Sequence, residues 1–168
     1  MNLIDIKSPA DLKGLSLAEL TDLTAQARQA LMTKVSEHGG HVGPPMGVAE
    51  MIMALHYVFN SPVDKIVYDV SHQSYVHKMV TGRALAFLDH NHYDDVTGYT
   101  DPTESEHDFF NIGHTSTSIS LASGLATARN LKGDSENIIA IIGDGSLSGG
   151  EAFEGLDYAA TLDSNMII

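Results

Sequence analysis

Short apolar runs that end in glycine and polar residues recur along this chain, between longer stretches with helical periodicity. The clearest run is 138–142, which stops at a Gly-Asp-Gly turn. A short β-branched run bounded by glycine is typical of a strand buried on both faces, as in parallel sheets. Similar runs predict strands over 66–70 and 109–112 and the beginning of another at 165.

Helical patterns occupy the stretches between these runs. Ser16 and Glu19 have the spacing of a capping box, and an apolar stripe follows them on one helical face. Further helices are predicted over about 46–59, 115–130 and 150–162, and the first of these is apolar on nearly all sides. Alternating strands and helices predict an α/β fold in which a parallel sheet carries helices on both faces.

Asp144 follows the 138–142 strand and is flanked by glycines. Ligands of parallel sheets bind at the carboxyl ends of the strands. A carboxylate there repels phosphate unless a cation lies between them, so the pattern favours a diphosphate site bridged by magnesium. An ordinary tight turn with an exposed Asp is the alternative. The glycine spacing matches neither the dinucleotide-binding motif nor a P-loop.

A second glycine turn, Gly113-His114, is followed by four hydroxyl residues, Thr115 to Ser118, and then by a helical pattern. Free amides at the start of that helix would attract an anion, and the hydroxyl groups could cap it. A well-capped helix that only packs is the alternative.

His72 and Gln73 follow the 66–70 strand in a third segment of this kind. A lone His after a strand is more often structural, but further polar side chains are concentrated nearby. Residues 89–108 are acidic and have little periodicity, which predicts a long polar loop. Such a loop either closes over a site or is an ordinary solvated segment.

Composition narrows the possible functions. The 168 residues carry a formal net charge of −13, which disfavours nucleic acid and anionic membranes as partners. The chain has no Cys, so disulfides and thiol catalysis are excluded. No run approaches the roughly 20 apolar residues of a membrane span, and the first residues do not resemble a signal peptide. A cytosolic protein is expected.

Five ordered motifs together resemble a known family. They are Gly39 to Glu50, Ala54 to Asn60, Asp69 to Lys78, Gly113 to Ser120 and Ile141 to Gly145. They look like the amino-terminal part of the 1-deoxy-D-xylulose-5-phosphate synthases, which are transketolase-like enzymes dependent on thiamine diphosphate and Mg²⁺. The resemblance covers nearly the whole chain and implies the diphosphate-binding fold of that family.

The resemblance implies roles for the residues after the 138–142 strand. Asp144 matches the magnesium-ligating Asp of the family's thiamine diphosphate motif. Gly145 and Ser146 match residues whose backbone lies against the diphosphate. These roles agree with the chemistry of the turn, because Mg²⁺ prefers oxygen ligands and often joins one or two carboxylates to phosphate oxygens.

The remaining matches are with cofactor-binding histidines and their neighbours. His72 matches a cofactor-binding His, and Gly113, His114 and Thr115 match the family's Gly-His-Ser. His41 matches a His that faces the cofactor and takes part in proton transfer, so it is the predicted catalytic residue. Imidazoles can hydrogen-bond to phosphate and to reacting hydroxyls.

The sequence also departs from the family. Ser71 stands where the family has Gly, and Thr115 where it has Ser. Residues 43–47, Gly-Pro-Pro-Met-Gly, replace the usual Ala-Ser-Gly-Leu-Gly, which predicts a stiffer loop after His41. The 89–108 segment differs as well, so the choice of substrate is open.

The family's metal-binding Asn and its activating Glu lie beyond the last residue here. The resemblance therefore implies that residues 1–168 are the amino-terminal portion of a single diphosphate-binding domain, without the pyrimidine-binding and C-terminal domains. Alone, the chain is expected to be inactive. A sheet that lacks its last strands would expose an apolar edge, which favours association.

The implied activity is transfer of a two-carbon acyl unit from pyruvate to an aldose phosphate, glyceraldehyde 3-phosphate, in isoprenoid and thiamine biosynthesis. A homodimer, or association with a chain that carries the missing domains, is expected. Two alternatives stay open: a transketolase-like half-subunit acting on sugar phosphates, and a non-catalytic assembly module.

Overall fold

The protein is described by a computed structural model that covers residues 1–168. The chain forms two compact units, each built from two stretches of sequence. The first unit comprises Met1–Asn60 and His72–Gly98, and the second comprises Ser61–Ser71 and Tyr99–Ile168.

The first unit is helical. Its helices are α1 (Leu17–His38), α2 (Gly43–Gly47), α3 (Ala49–Val58), α4 (Tyr75–Lys78) and α5 (Leu85–Leu88), with 3₁₀ turns at Leu3–Asp5, Pro9–Leu12 and His90–Asp95 and a kinked segment at Met79–Arg83.

Helix α1 begins as the capping box predicts. The Ser16 amide donates to the Glu19 carboxylate at 2.8 Å, and the Glu19 amide donates back to the Ser16 hydroxyl at 3.4 Å. Hydrogen bonds from the Ser16 hydroxyl, at 2.7 Å, and from the Ser16 amide lower the pKa of the Glu19 carboxyl. Leu23, Ala27 and Leu31 of the predicted apolar stripe are buried. The two reciprocal bonds therefore begin the helix, and the stripe packs it into its unit.

The second predicted helix is two helices. Pro44 and Pro45 lie in the first turn of α2, where proline is favoured because its ring presets φ and no intrahelical amide is lost. Val48 then leaves the helical conformation, with φ −110° and ψ 9°, before α3 begins. The predicted helix over 46–59 is therefore wrong in its continuity and correct in its extent.

The second unit contains the sheet. Its elements are β1 (Lys65–Tyr68), α6 (Ser118–Lys132), β2 (Ile138–Ile141), α7 (Gly150–Thr161) and β3 (Met166–Ile167), with a 3₁₀ turn at Ser146–Ser148. The strands lie in the order β1-β2-β3 and both pairs are parallel. Lys65 pairs with Ile138, and Ile138 with Met166. The predicted α/β class with a parallel sheet is confirmed.

Helix α6 packs against the strands and forms the core of this unit with them. Ile119, Ala122 and Ala126 of the helix are buried together with Val67 of β1 and Ile138 of β2. Small residues on α6, among them Ala122 and Ala126, allow this close approach. The core therefore lies between α6 and the sheet and fixes the ends of β1 and β2.

The predicted strand over 109–112 is wrong, because these residues pair with no strand. Two of their carbonyl oxygens accept hydrogen bonds from side-chain hydroxyls. The Thr100 hydroxyl donates to Phe110 O, and the Ser71 hydroxyl donates to Ile112 O, both at 2.8 Å. Side chains from elsewhere in the same unit thus satisfy the backbone groups that a neighbouring strand would otherwise bind.

Candidate functional site

The turn after β2 presents an exposed carboxylate. β2 ends at Ile141, and the Asp144 side chain that follows is exposed and makes no hydrogen bond or salt bridge within the chain. The turn is held by its own backbone, because the Leu147 amide donates to Gly143 O at 3.0 Å. A fixed turn with an open carboxylate is suited to a hard cation.

A metal at Asp144 would take most of its ligands from outside the chain. The structure contains no group of three or more His, Cys, Asp or Glu side chains arranged to hold a metal. Mg²⁺ usually keeps several waters and binds through one or two carboxylates together with phosphate oxygens. One open carboxylate at a strand end fits that pattern and does not fit a closed structural metal site.

The turn that contains Gly113, His114 and Thr115 is the second exposed segment of this unit. All three residues are exposed, and the His114 Nδ1 lies 3.1 Å from Thr115 O. Because that nitrogen donates to a carbonyl, the neutral ring has Nε2 as its acceptor. The imidazole is therefore held by its own turn while its other nitrogen stays available.

The expectation of free amides at the start of this helix is wrong for Ser118, the first residue of helix α6. The amide of Ser116, just before the helix, is bonded as well. The Asp69 carboxylate, which is 1% exposed, accepts the Ser116 amide at Oδ1 and the Ser118 amide at Oδ2, both at 2.9 Å. The helix start binds an anion as predicted, but that anion is a side chain of the same unit.

The backbone conformation of Ser71 is one that favours glycine. Its φ is 69° and that of Val70 is 58°, both in the left-handed region that residues with a Cβ rarely adopt. The Ser71 hydroxyl is fully buried, donates to Ile112 O and accepts the Thr100 amide at 2.9 Å. Two hydrogen bonds that glycine could not make thus hold the strained backbone in place.

His41 and His72 are predicted site residues that are far apart in the sequence, but they lie together in the first unit. Their ring centroids are 5.3 Å apart with the rings edge to face. The Tyr75 hydroxyl lies 3.2 Å from both the His41 backbone amide and the His41 Nδ1. Gly40 has φ 131°, and a Cβ there would lie 2.9 Å from the Tyr75 hydroxyl, so glycine lets the loop approach.

A cavity of about 270 Å³ opens beside His41. Gly98 and Thr97 form one side of it, and the rings of Tyr75, Phe87 and Tyr93 contribute to its wall. Lys34 also lines it and is 6% exposed. Its ammonium donates to Ala86 O at 2.9 Å and Tyr93 O at 2.8 Å. The cavity can hold a small polar molecule beside an imidazole.

The beginning of the acidic 89–108 segment is more ordered than a loop prediction implies. His90–Asp95 forms a 3₁₀ turn and Tyr93 is buried. Amide groups of Asn91 lower the pKa of Asp89, which caps this turn. The Asp95 carboxylate, 2.7 Å away, raises the pKa of His92. Closure of the segment over a site stays a prediction.

The structure distributes the predicted site residues between the two units. His41 and His72 belong to the first unit. The residues of the Gly113 and Asp144 turns belong to the second, where the Ser116 hydroxyl donates to Ser146 O at 2.7 Å and joins the two turns. Three residues with positioning contacts were missed as site residues: Asp69, Tyr75 and Ser116. An acidic residue at the end of an apolar run is the one signal in the sequence that could have indicated Asp69.

Comparison with known proteins decides the family. The family model described as 1-deoxy-D-xylulose-5-phosphate synthase matches residues 3–168. The chain belongs to this family. Curated synthases of that name from Symbiobacterium thermophilum and Shouchella clausii are each 49% identical over 168 residues, all of this chain. That of Caldanaerobacter subterraneus is 50% identical over 163 residues, 97% of the chain.

Within this family the chain corresponds to part of a longer protein. It spans 26% of the synthases from Symbiobacterium and Caldanaerobacter and 27% of that from Shouchella. Among the helices described here, none has both the length and the apolar character that crossing a membrane requires. The family resemblance expected from the five motifs is confirmed.

Proposed function

We propose that this chain supplies the diphosphate-binding part of an enzyme that uses thiamine diphosphate and Mg²⁺ to transfer a two-carbon unit. The observation that carries the proposal is the exposed Asp144 carboxylate at the end of β2, in a turn joined through Ser116 to the His114 turn. Family membership supports the same reading, because the relatives are named 1-deoxy-D-xylulose-5-phosphate synthase.

The second unit would hold the diphosphate. Asp144 would bind Mg²⁺, which would neutralise the phosphate charge that a chain of net charge −13 otherwise repels. The backbone of Gly145 and Ser146 would lie against the phosphate oxygens, and His114 would hydrogen-bond to them through Nε2. Gly113 and Thr115 shape the turn that carries His114.

When bound, thiamine diphosphate supplies the carbanion chemistry. In the first unit His72 binds the cofactor and His41 moves a proton near the acceptor. The Tyr75 hydroxyl accepts the His41 amide. With the same hydroxyl as the donor to Nδ1, the neutral His41 ring carries its transferable proton on Nε2. The cavity beside His41 admits the acceptor.

The substrates we propose are pyruvate and glyceraldehyde 3-phosphate, which give 1-deoxyxylulose 5-phosphate. The chain spans 26% of the relative from Symbiobacterium thermophilum, and we propose that residues outside it contribute to the cofactor site. A homodimer is the proposed assembly.

Calorimetric titration of thiamine diphosphate with Mg²⁺ tests the proposal. The protein should be used as the cell makes it, with any part beyond these residues included. We expect binding that requires Mg²⁺ and that Asp144→Ala weakens at least about 100-fold, since a ligand of the metal is lost. The matched control is Asp134→Ala, which removes an exposed carboxylate from the segment before β2.

The control should bind as tightly as wild type, and neither substitution should change the melting temperature without cofactor. A folded wild-type protein that does not bind, or an Asp144→Ala variant that binds unchanged, contradicts the proposal.

A further inference from the structure

Ser116 adopts a backbone conformation that needs support. Its φ is 73°, in the left-handed region, and the residue is 5% exposed. A residue with a Cβ rarely occupies this region unless its surroundings impose it. Ser116 directly follows Thr115 of the predicted cofactor turn and precedes helix α6. The contacts that impose this conformation therefore bear on the turn itself.

Those contacts come from the ends of two neighbouring strands. The Ser116 amide donates to the Asp69 carboxylate, which follows β1, at 2.9 Å. The Ser116 hydroxyl donates to Ser146 O, in the turn that follows β2, at 2.7 Å. One residue thus ties its own turn to the exits of both strands.

Gly149 leaves the space that the Ser116 side chain fills. A Cβ on Gly149 would lie 2.0 Å from the Ser116 hydroxyl oxygen and 2.9 Å from the Ser116 Cβ. Real atoms do not approach so closely, so a side chain at 149 and the present position of Ser116 exclude each other. The fit indicates that the hydroxyl is positioned by shape as well as by hydrogen bonding.

We propose that Ser116 is a positioning residue that sets the separation between the His114 turn and the Asp144 turn. This rests on the proposed function, because a diphosphate and its Mg²⁺ would contact both turns at once. A ligand held at two places binds tightly only when those places are already at the required spacing. Ser116 touches neither the metal ligand nor the imidazole and acts through the backbone of both turns.

Two substitutions separate this role from general stabilisation. Ser116→Ala removes the hydroxyl and keeps a Cβ in the left-handed conformation. Ser116→Gly removes the same hydroxyl but adopts that conformation without strain. The two variants therefore differ in stability and share the loss of the bond to Ser146.

We expect both variants to bind thiamine diphosphate with Mg²⁺ about tenfold more weakly than wild type, the effect of one lost hydrogen bond. Without cofactor, Ser116→Gly should melt at a higher temperature than Ser116→Ala. The matched control is Thr127→Val, which removes a hydroxyl that donates to Ser123 O at 2.9 Å within α6. It should bind the cofactor as wild type does.

Three other outcomes would each contradict the positioning role, and they can be told apart. If wild type binds but both Ser116 variants bind equally well, the positioning role is wrong and the proposed function stands. If affinity follows melting temperature, so that only Ser116→Ala binds weakly, the residue is merely structural. If wild type itself does not bind, the proposed function fails, and the positioning role with it.

Discussion

β1 and β2 are neighbours in one parallel sheet, and an aspartate follows each of them, yet the two carboxylates have opposite surroundings. Asp69 after β1 is 1% exposed, and each of its oxygens accepts a backbone amide. Asp144 after β2 is exposed and has no partner within the chain. The same residue type near neighbouring strand ends, one residue after β1 and three after β2, thus stabilises the fold in one case and stays open in the other.

An acid at a strand end is therefore not by itself a sign of a ligand site. What distinguishes the two is whether the chain already supplies donors. The amides of Ser116 and Ser118 satisfy Asp69, so its charge contributes to folding. No such donors reach Asp144, so its charge is available to a cation. Substitutions that affect stability at one strand end and binding at the other would test this contrast.

The largest effect is expected at Asp69. Asp69→Ala would leave two buried amides without an acceptor, which we expect to lower the free energy of unfolding by about 3 kcal/mol. Asp144→Ala, without cofactor, should change it by less than about 0.5 kcal/mol. Urea unfolding of the two variants beside wild type measures both values. Equal losses would mean that the two carboxylates do not differ as described.

Ser71 offers a smaller test of the β1 exit. Ser71→Ala loses two buried hydrogen bonds and keeps the left-handed backbone, so we expect a loss of about 2 kcal/mol. Ser71→Gly loses the same bonds but relieves strain worth up to about 1 kcal/mol, so its loss should be smaller. The same urea measurement gives the order wild type, Gly, Ala. A Gly variant less stable than the Ala variant would show that the conformation at 71 is not strained.

The smallest effect concerns the opposite ends of the same strands. Lys65 at the start of β1 lies 3.0 Å from Glu136, and its hydrogen bond lowers the pKa of Glu136 from the ordinary 4.5. Because the pKa falls on folding, the stabilisation is fully present above about pH 4.5 and is lost as pH falls through the lowered value. At pH 7 Glu136→Gln should cost about 0.5 kcal/mol.

Unfolding of wild type and Glu136→Gln, compared at about pH 7 and about pH 3, checks this dependence. The difference between the two proteins should be smaller at the lower pH. A difference that does not shrink in acid would mean that the ion pair is not its source.

Sequence patterns predicted the helices and strands whose formation depends on neighbouring residues. The capping box at Ser16 gives the start of α1, and the apolar run at 138–142 gives β2, because each depends on neighbouring residues. The 109–112 run has the composition of a strand but takes its hydrogen bonds from the hydroxyls of Ser71 and Thr100. Composition does not reveal that such donors replace a strand.

The candidate site likewise contains residues that the sequence indicated and residues that only the folded chain brings together. Asp144 and His114 lie in exposed turns, and their assignment as site residues stays a prediction. Asp69 and Ser116 escaped because they are 47 positions apart and only the folded chain brings them together. The strain at Ser71 could be suspected from the glycine that the family has there, but the two hydrogen bonds that offset it could not.

The hydrogen bonds of Lys34 explain how the stretch around His90–Asp95 can change in sequence and still stay attached to α1. Its ammonium holds residues 86 and 93 through their carbonyl oxygens, which every amino acid possesses. These two hydrogen bonds place no demand on side chains, whereas the Phe87 and Tyr93 rings, whose centroids lie 4.4 and 5.4 Å from the same ammonium, do. Substitutions can therefore accumulate during evolution at the exposed positions of His90–Asp95 while these two rings and the attachment to α1 persist, and the acidic segment can diverge from the family there at little structural risk.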